Sequence, residues 1–249
     1  IIPWASIIGN YQIDPYTHLY KTGEACWHRN DVLIEEEGHA TDLITDEAVR
    51  VIEEAGEKPF FLYVAYSVPH YPLDEPDPWV ELYRNRYDSA SRRWFAGSIT
   101  HMDAGIGRIV AALEDTGQRE DTLVVFASDN GGQKSWHNAR QYKGRYADKP
   151  HDVLGDNQPL RGWKGDVYEG GIRVPALANW PGVLEPRIVS QPMHIVDWMP
   201  TLCAAAGCTP PEHPHWDGLN IWPVIAGKED ALASRTMYWK TPGNYAVRQ

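Results

Sequence analysis

Cysteine is scarce in this 249-residue chain, with only Cys26, Cys203 and Cys208. Three thiols cannot build the multi-bridge framework that staples small secreted domains. One pair is possible, nothing in the spacing demands it, and the redox compartment stays open. Long hydrophobic runs are also missing: no stretch approaches the roughly 20 apolar residues of a membrane span. Basic residues are in the minority, 23 Lys and Arg against 34 Asp and Glu, for a formal net charge of -11. That balance argues against nucleic acid or an anionic membrane surface as the main partner. It leaves room for an anionic small substrate, because a local cluster of His, Lys and metal overrides the global field. There is no internal repeat and no low-complexity tract, and no signal peptide is visible, which means little for a start of this kind. The chain opens Ile1-Ile2-Pro3 without a Met, as an internal cut would.

What is present suits one large domain or two small ones with a sizeable core. Eleven Trp and thirteen Tyr supply core and aromatic-walled grooves. Residues 1–40 show no sustained period, although Val32-Leu33-Ile34 reads as a short strand. From Thr41 the apolar positions Ile44, Ala48, Val51, Ile52 and Ala55 recur at helical spacing, with Thr41 as N-cap and Gly56 as stop. Phe60 to Tyr66 is a continuous apolar run of strand length, as expected of a strand buried on both faces. It ends in Ser67-Val68-Pro69-His70-Tyr71-Pro72, where the prolines stiffen the loop that carries His70. A second helix follows: Phe95, Ile99, Met102, Ile106, Ile109 and Leu113 mark its apolar stripe, and Gly117 its C′ position. Ala104, Gly105 and Gly107 within it predict close packing.

Next comes Leu123-Val124-Val125-Phe126-Ala127-Ser128-Asp129-Asn130-Gly131-Gly132. An apolar, β-branched run stops at an acid, an amide and two glycines. The order strand, helix, strand predicts a βαβ unit with parallel strands. Its two carboxyl ends would bring His70 and Asp129/Asn130 to one crevice. Two adjacent oxygen-bearing side chains there suit a hard cation such as Ca²⁺ or Mg²⁺; a helix cap or an Asp-Asn-Gly turn is the plainer use. Residues 133–158 are polar and aperiodic. Gly162-Trp163-Lys164-Gly165 and Glu169-Gly170-Gly171 then imply tight turns or close backbone approach around Lys164. A strand from Ile172 to Ala178, a helix near Trp198 to Ala206 capped by Asp197 and stopped by Gly207, and two strands around Pro242-Gly243-Asn244 complete the pattern.

Singly, His70 is a loop histidine, Lys164 a solvated charge and Asp129-Asn130 a turn. Together, beside turns at strand ends, they suit hydrolysis of an anionic oxyester. A cation and a lysine would neutralise charge on the transferring group, and a histidine would donate a hydrogen bond or a proton.

Four ordered motifs carry a resemblance over roughly Lys58 to Arg248. They are Phe60-Phe-Leu-Tyr-Val-Ala-Tyr-Ser-Val-Pro-His70-Tyr-Pro-Leu, Ser128-Asp129-Asn130-Gly-Gly, Pro159-Leu-Arg-Gly-Trp-Lys164-Gly and Tyr168-Glu-Gly-Gly-Ile-Arg-Val-Pro. Val196-Asp197-Trp-Met-Pro-Thr-Leu and Asp217-Gly218 fit as well. The chain resembles the type I sulfatases, in the branch of arylsulfatase B and N-acetylgalactosamine-6-sulfatase. The resemblance implies an alkaline-phosphatase-like α/β fold, a large mixed sheet sandwiched by helices, with the start of a small C-terminal subdomain. Residues 1–230 would be the central and C-terminal part of the catalytic domain, and 231–249 the beginning of that subdomain. Asp129 and Asn130 match two ligands of a Ca²⁺ ion, with Mg²⁺ the lesser alternative. His70 matches the histidine near the leaving oxygen, and Lys164 the lysine that binds the sulfate group.

Hydrolysis in this family uses a formylglycine hydrate, made from the Cys or Ser of a Cys/Ser-x-Pro/Ala-x-Arg motif. The chain has no such motif, so it encodes no nucleophile. Cys208-Thr-Pro-Pro-Glu212 imitates the first half but has Glu where Arg belongs, and Cys26-Trp-His-Arg lacks both the Pro/Ala and the spacing. The expectation is that the nucleophile and the remaining metal ligands precede Ile1, and that this chain alone is inactive. The implied substrate is a sulfated small molecule or sulfated glycan, contacted by His137, Arg140, Lys143 and Arg145 if the 133–158 loop is not plain surface. The implied setting is secreted, periplasmic or lysosomal. Two other functions fit the same residues: a phosphodiesterase or phosphonate monoester hydrolase of the same superfamily, and a non-catalytic module that binds sulfated glycan.

Overall fold

Helix α1 (Ala40–Ala55) forms where the apolar period requires it, but its cap is two residues earlier than the sequence suggests. His39, in extended conformation, accepts the Thr41 N–H on its ring Nδ1 at 3.2 Å. Thr41 is therefore the second helical residue and is fully buried. The computed structural model describes residues 7–8, 13–20, 23–134, 155–208 and 215–249. They divide into two units, residues 1–118 with 130–173, and residues 119–129 with 174–249.

In the first unit, three two-residue strands, β1 (Ile7–Ile8), β2 (His28–Arg29) and β3 (Val32–Leu33), pair antiparallel in that order. Ile13, Trp27 and Ala40 form a core there. Beyond α1, the short helix α2 (Asp77–Glu81) and the long helix α3 (Ala90–Asp115) follow. Ser89 caps α3 through Oγ, and the helix closes with paired bonds from Gly117 N to Glu114 O and from Gln118 N to Leu113 O. That is the Schellman closure, and Gly117 supplies its left-handed residue at φ +71°.

The most buried face of α3 is not the predicted stripe. Trp94, Ser98, His101, Gly105 and Ala112 are buried; of the predicted stripe Leu113 is buried too, whereas Ile99 is exposed and Phe95, Met102, Ile106 and Ile109 are half-buried. The reason is close approach. A Cβ at Gly105 would lie 2.6 Å from Thr45 Oγ1 and 3.0 Å from Tyr66 OH. α3 thus meets α1 along a seam of small and polar residues, and Gly107, also expected to pack closely, faces open space. The seam is hydrogen-bonded. Thr45 Oγ1 donates to Thr41 O at 2.7 Å, so the hydroxyl of Tyr66 donates to Thr45 at 2.8 Å.

Residues 60–66 are not assigned to a strand, and the parallel βαβ pairing predicted for them does not occur among the described residues. A strand exists only where backbone groups pair with a neighbour. Burial along this segment nevertheless alternates, with Phe61 and Tyr63 exposed and Leu62 and Val64 half-buried. That period of two is the strand signature.

In the second unit, β4 (Val124–Ala127) pairs antiparallel with β5 (Ala176–Asn179). The strand expected from Ile172 begins later. Glu169–Ile172, which belongs to the first unit, forms a single helical turn, α4, closed by Arg173 N donating to Glu169 O at 2.8 Å. Helices α5 (Trp198–Ala205) and α6 (Trp222–Ile225) follow, then the hairpin β6 (Met237–Thr241) and β7 (Asn244–Arg248). Its turn, Pro242-Gly243 with Gly243 at φ +87°, is the type II solution of Pro then Gly. The mixture of helices with short sheets is an α/β fold.

Asp197 is not the cap of α5 that its position suggests. Its side chain is completely buried and makes no cap bond to that helix. Instead it accepts from the backbone of His194 (2.7 Å) and Leu219 (3.0 Å) and from both terminal nitrogens of Arg235. Burial opposes its charge, but the Arg235 guanidinium and the two backbone donors win, and its carboxyl titrates below the usual Asp range.

Candidate active site

The segment that leaves β4 carries two of the predicted site residues, Asp129 and Asn130. Ser128 N still bonds Pro175 O at 3.2 Å, as an extension of the β4–β5 ladder. Asp129 is exposed and Asn130 half-buried. From Gly131 onward the backbone is stitched to the glycine-rich loop around Lys164. Gly131 N donates to Gly171 O at 3.0 Å, and Lys164 N donates to Gly132 O at 2.9 Å. Asn157 joins both sides: its Oδ1 accepts from Gly132 N at 3.0 Å, and its Nδ2 donates to Gly132 O (3.2 Å) and Gly162 O (3.1 Å).

Glycine is needed here because backbones touch. A Cβ on Gly131 would stand 1.8 Å from Gly170 O, and one on Gly170 would stand 2.2 Å from Gly162 O. The expectation of close backbone approach around Lys164 holds. The Lys164 loop is braced further by Asp166, whose Oδ2 accepts from Trp163 N at 2.9 Å, and by Arg161 lying 3.9 Å over the Tyr168 ring. A hydrogen-bonded, glycine-packed backbone of this kind holds Lys164 by its main chain.

His70 sits in a loop of its own. The peptide bonds Val68–Pro69 and Tyr71–Pro72 on either side are both cis. Val68 and Leu73 are buried with Trp94 in a second core, which anchors the loop. The imidazole Nδ1–H donates to Tyr71 O at 2.5 Å. With the proton fixed on Nδ1, Nε2 is the nitrogen that can accept a proton and later give it up. Backbone bonds thus join Gly131 and Gly132, which follow Asn130, to the loop of Lys164, while His70 sits in a turn between two cis prolines.

Sequence reasoning missed a second group of chemistry-bearing residues. His39, Asp42 and His101 each place a ligand-type atom so that all three lie within 4.8 Å of one another. Glu75, fully buried, holds His101 Nδ1 at 2.7 Å, while Asp42 faces His101 Nε2 at 3.1 Å. Burial works against the charge on His101, but the two carboxylates outweigh it and raise its pKa. His39 behaves oppositely. Burial, reinforced by the charge on His101, pushes it down to about 3 and keeps it neutral. The available signal was His101 at the Trp94, Ser98, His101, Gly105 spacing, a polar residue on the face that α3 buries.

Two further expectations fall outside what the structure describes. His137, Arg140, Lys143 and Arg145 lie at 135–154, and the Thr209–Glu212 part of the Cys208 motif lies at 209–214, both outside the described residues. Cys208 itself is an exposed free thiol whose N–H bonds Cys203 O at 2.8 Å, closing α5 around Gly207. Cys26 and Cys203 are also free thiols.

The fold is of the alkaline-phosphatase-like α/β class. A solved phosphonate monoester hydrolase, SpPMH from Silicibacter pomeroyi, superposes at a TM-score of 0.57 with 20% identity over 80% of this chain, and 43% of its own chain is covered. Ps i-CgsB in complex with k-i-k-neocarrahexaose superposes at 0.71 with 30% identity, covering 89% of this chain and 51% of that one. The family model for Sulfatase matches residues 5–208, and the chain belongs to the sulfatase family. Human arylsulfatase A is 34% identical over 188 residues, 76% of this chain and 32% of its own length. Human N-acetylgalactosamine-6-sulfatase is 34% identical over 191 residues, again 76% of this chain and 33% of its length. An uncharacterized Escherichia coli sulfatase, YdeN, is 29% identical over 93% of this chain and 40% of its own. The chain thus spans between a third and two fifths of the length of these relatives.

Proposed function

We propose that this chain is the central and C-terminal part of a sulfatase catalytic domain, residues 1–230, followed by the beginning of a C-terminal subdomain at 231–249. The parent protein would hydrolyse sulfate esters. Asp129 and Asn130 would hold a divalent cation, Lys164 would bind the sulfate group, and His70 would serve the leaving oxygen. The observation that carries this reading is the bond from Lys164 N to Gly132 O. It ties the segment of the cation ligands to the loop of the sulfate-binding lysine.

The donor set fits a hard cation. A carboxylate and an amide carbonyl are both oxygen donors of the kind Ca²⁺ takes, though they supply two of its six to eight ligands. When bound, such an ion would stabilise negative charge on the ester oxygens. The chain's own residues do the rest. The Lys164 ammonium, a compact charge on a braced backbone, would neutralise a sulfate oxygen as charge builds up. His70, with Nδ1–H committed to Tyr71 O, would present Nε2–H in its protonated form and donate it to the departing oxygen.

A sulfated carbohydrate is the proposed substrate class. Support comes from Ps i-CgsB, 30% identical and solved with a neocarrahexaose, and from the wealth of Trp and Tyr in this chain, which suits sugar stacking. The proposed location is secreted, periplasmic or lysosomal. No described helix is long and apolar enough to cross a membrane.

The test compares hydrolysis of p-nitrocatechol sulfate with that of bis-p-nitrophenyl phosphate by the parent protein. Preference for the sulfate supports the reading, and preference for the phosphate replaces it with phosphorus chemistry. Activity of the 249-residue chain by itself would overturn the assignment of the nucleophile to the rest of the parent.

A further inference from the structure

The group of His39, Asp42, Glu75 and His101, buried apart from Asp42, has a composition that sulfate-ester chemistry at Asn130 and Lys164 does not use. None of its residues belongs to the 128–132 or 161–171 segments. His39 caps α1 and is 3% exposed, His101 lies in the middle of α3 and is 2% exposed, and Glu75 from the loop between them is 0% exposed. Placing two imidazoles and the Glu75 carboxylate together inside a protein is costly unless partners satisfy their polar atoms.

We propose that His39, Asp42 and His101 form a binding site for a transition-metal ion of the Zn²⁺ class, with Glu75 orienting His101 from behind. Three features of the geometry carry this. First, the three ligand-type atoms already converge within 4.8 Å. A tetrahedral ion with bonds of about 2.1 Å sets its ligand atoms about 3.4 Å apart. His101 Nε2 and Asp42 Oδ1, at 3.1 Å, meet that spacing.

Second, Glu75 Oε2 takes the Nδ1–H of His101 at 2.7 Å. A carboxylate behind a histidine is the arrangement that fixes the tautomer and ring plane of a metal ligand, and it leaves Nε2 for the ion. Trp79 stacks on the same ring, with centroids 5.0 Å apart and planes 16° apart, and removes its remaining freedom.

Third, His39 Nε2 is buried and has no hydrogen-bond partner among the described residues, and neither has Thr41 Oγ1. Glu75 Oε1 is 3.6 Å from that nitrogen, beyond hydrogen-bond reach. A buried, unsatisfied polar atom calls for an ion or water to complete it. A metal on Nε2 takes the His39 tautomer with its proton on Nδ1. Loading therefore exchanges the 3.2 Å cap bond from Thr41 N for a metal–nitrogen bond.

Two nitrogens and one carboxylate oxygen select a borderline ion over Ca²⁺ or Mg²⁺, which take oxygen. Asp42 is the exposed member, at 49% for its side chain, so a fourth position faces solvent. The ion enters from that side.

The experiment strips the full chain of metal with a chelator and titrates it with Zn²⁺ by calorimetry and with Co²⁺ by visible absorption. The expected result is one ion per chain, with Co²⁺ showing the intense ligand-field bands of a low-coordinate site and no thiolate charge-transfer band. Asp42→Asn and Glu75→Gln each weaken binding about 10- to 100-fold, His101→Gln abolishes it, and Asp129→Ala leaves it unchanged. Asp42 is half-exposed, so its variant keeps the fold and the circular dichroism of the parent chain whatever happens to the buried variants. Zn²⁺ binding that is undetectable, or equal in the chain and in Asp42→Asn, overturns the proposal. So does a cysteine charge-transfer band, or loss of binding in Asp129→Ala. The outcome is independent of the sulfatase assay, which reads Lys164 and His70.

Discussion

Lys164 and Gly132 share a backbone hydrogen bond of 2.9 Å, although 32 residues separate them in sequence. Through it the chain after β4 and the glycine loop become one rigid backbone cluster. The side chains expected to bind a cation and a sulfate are placed by main-chain geometry more than by packing of their own.

That cluster predicts a contrast between two glycines. Gly131→Ala would drive a methyl to 1.8 Å from the Gly170 carbonyl, a clash with backbone that cannot swing away. The expected loss of stability is about 2 kcal/mol or more. Gly107→Ala, on α3 with nothing within 4 Å of the new methyl, should stabilise by about 0.5–1 kcal/mol through helix propensity. Urea unfolding of the two variants measures both, and equal effects would contradict the structure.

Substitutions at the proposed chemical groups should lower the rate in the parent protein without unfolding it. Lys164→Ala and His70→Ala are each expected to reduce kcat about 10²- to 10⁴-fold. Lys164→Arg should recover only part of the loss, because a planar fork replaces a point charge. A rise in KM alone, with kcat intact, would place these residues in uniform substrate binding.

Removal of the cation gives an independent reading. Chelation with EGTA should abolish sulfatase activity of the parent, and Ca²⁺ should restore it. Asp129→Ala should raise the Ca²⁺ concentration needed for half-restoration. Full activity after exhaustive chelation would argue against any cation at Asp129 and Asn130.

The Asp197–Arg235 pair carries a pH prediction. Asp197 has a folded-state pKa below its usual value, so the unfolded chain binds more protons there in the acid range. The stability it contributes is complete above about pH 4 and is lost as pH falls through the depressed folded value. Arg235→Ala leaves a buried carboxylate without its cation and should cost about 3 kcal/mol at neutral pH. Urea midpoints taken from pH 7 down to pH 3 should fall for the parent chain and change less for the variant over the same range.

The long helices were legible because apolar spacing and stop glycines are local properties. α1 and α3 follow from Ile44, Ala48, Val51, Ile52 and Ala55, and from Phe95 through Leu113. The hairpin around Pro242-Gly243 was legible for the same reason, since Gly243 needs the left-handed conformation that only the turn supplies. The motifs around Asp129, Lys164 and His70 sufficed for the family, because close backbone approach fixes residue type at each glycine. Asp197 was misread as a cap because its partner, Arg235, lies 38 residues away. The parallel pairing of 60–66 was misjudged because a strand's partner is not written in its own composition.

By itself, then, the sequence determined the long helices α1 and α3, the Pro242-Gly243 turn and the family, all of which rest on short-range spacing and local motifs. The tertiary structure alone decided which face of α3 is buried, and with it the meeting of His39, Asp42, Glu75 and His101. Those residues come from three separate segments, and only packing of α3 against α1 brings ligand atoms of His39, Asp42 and His101 within 4.8 Å of one another.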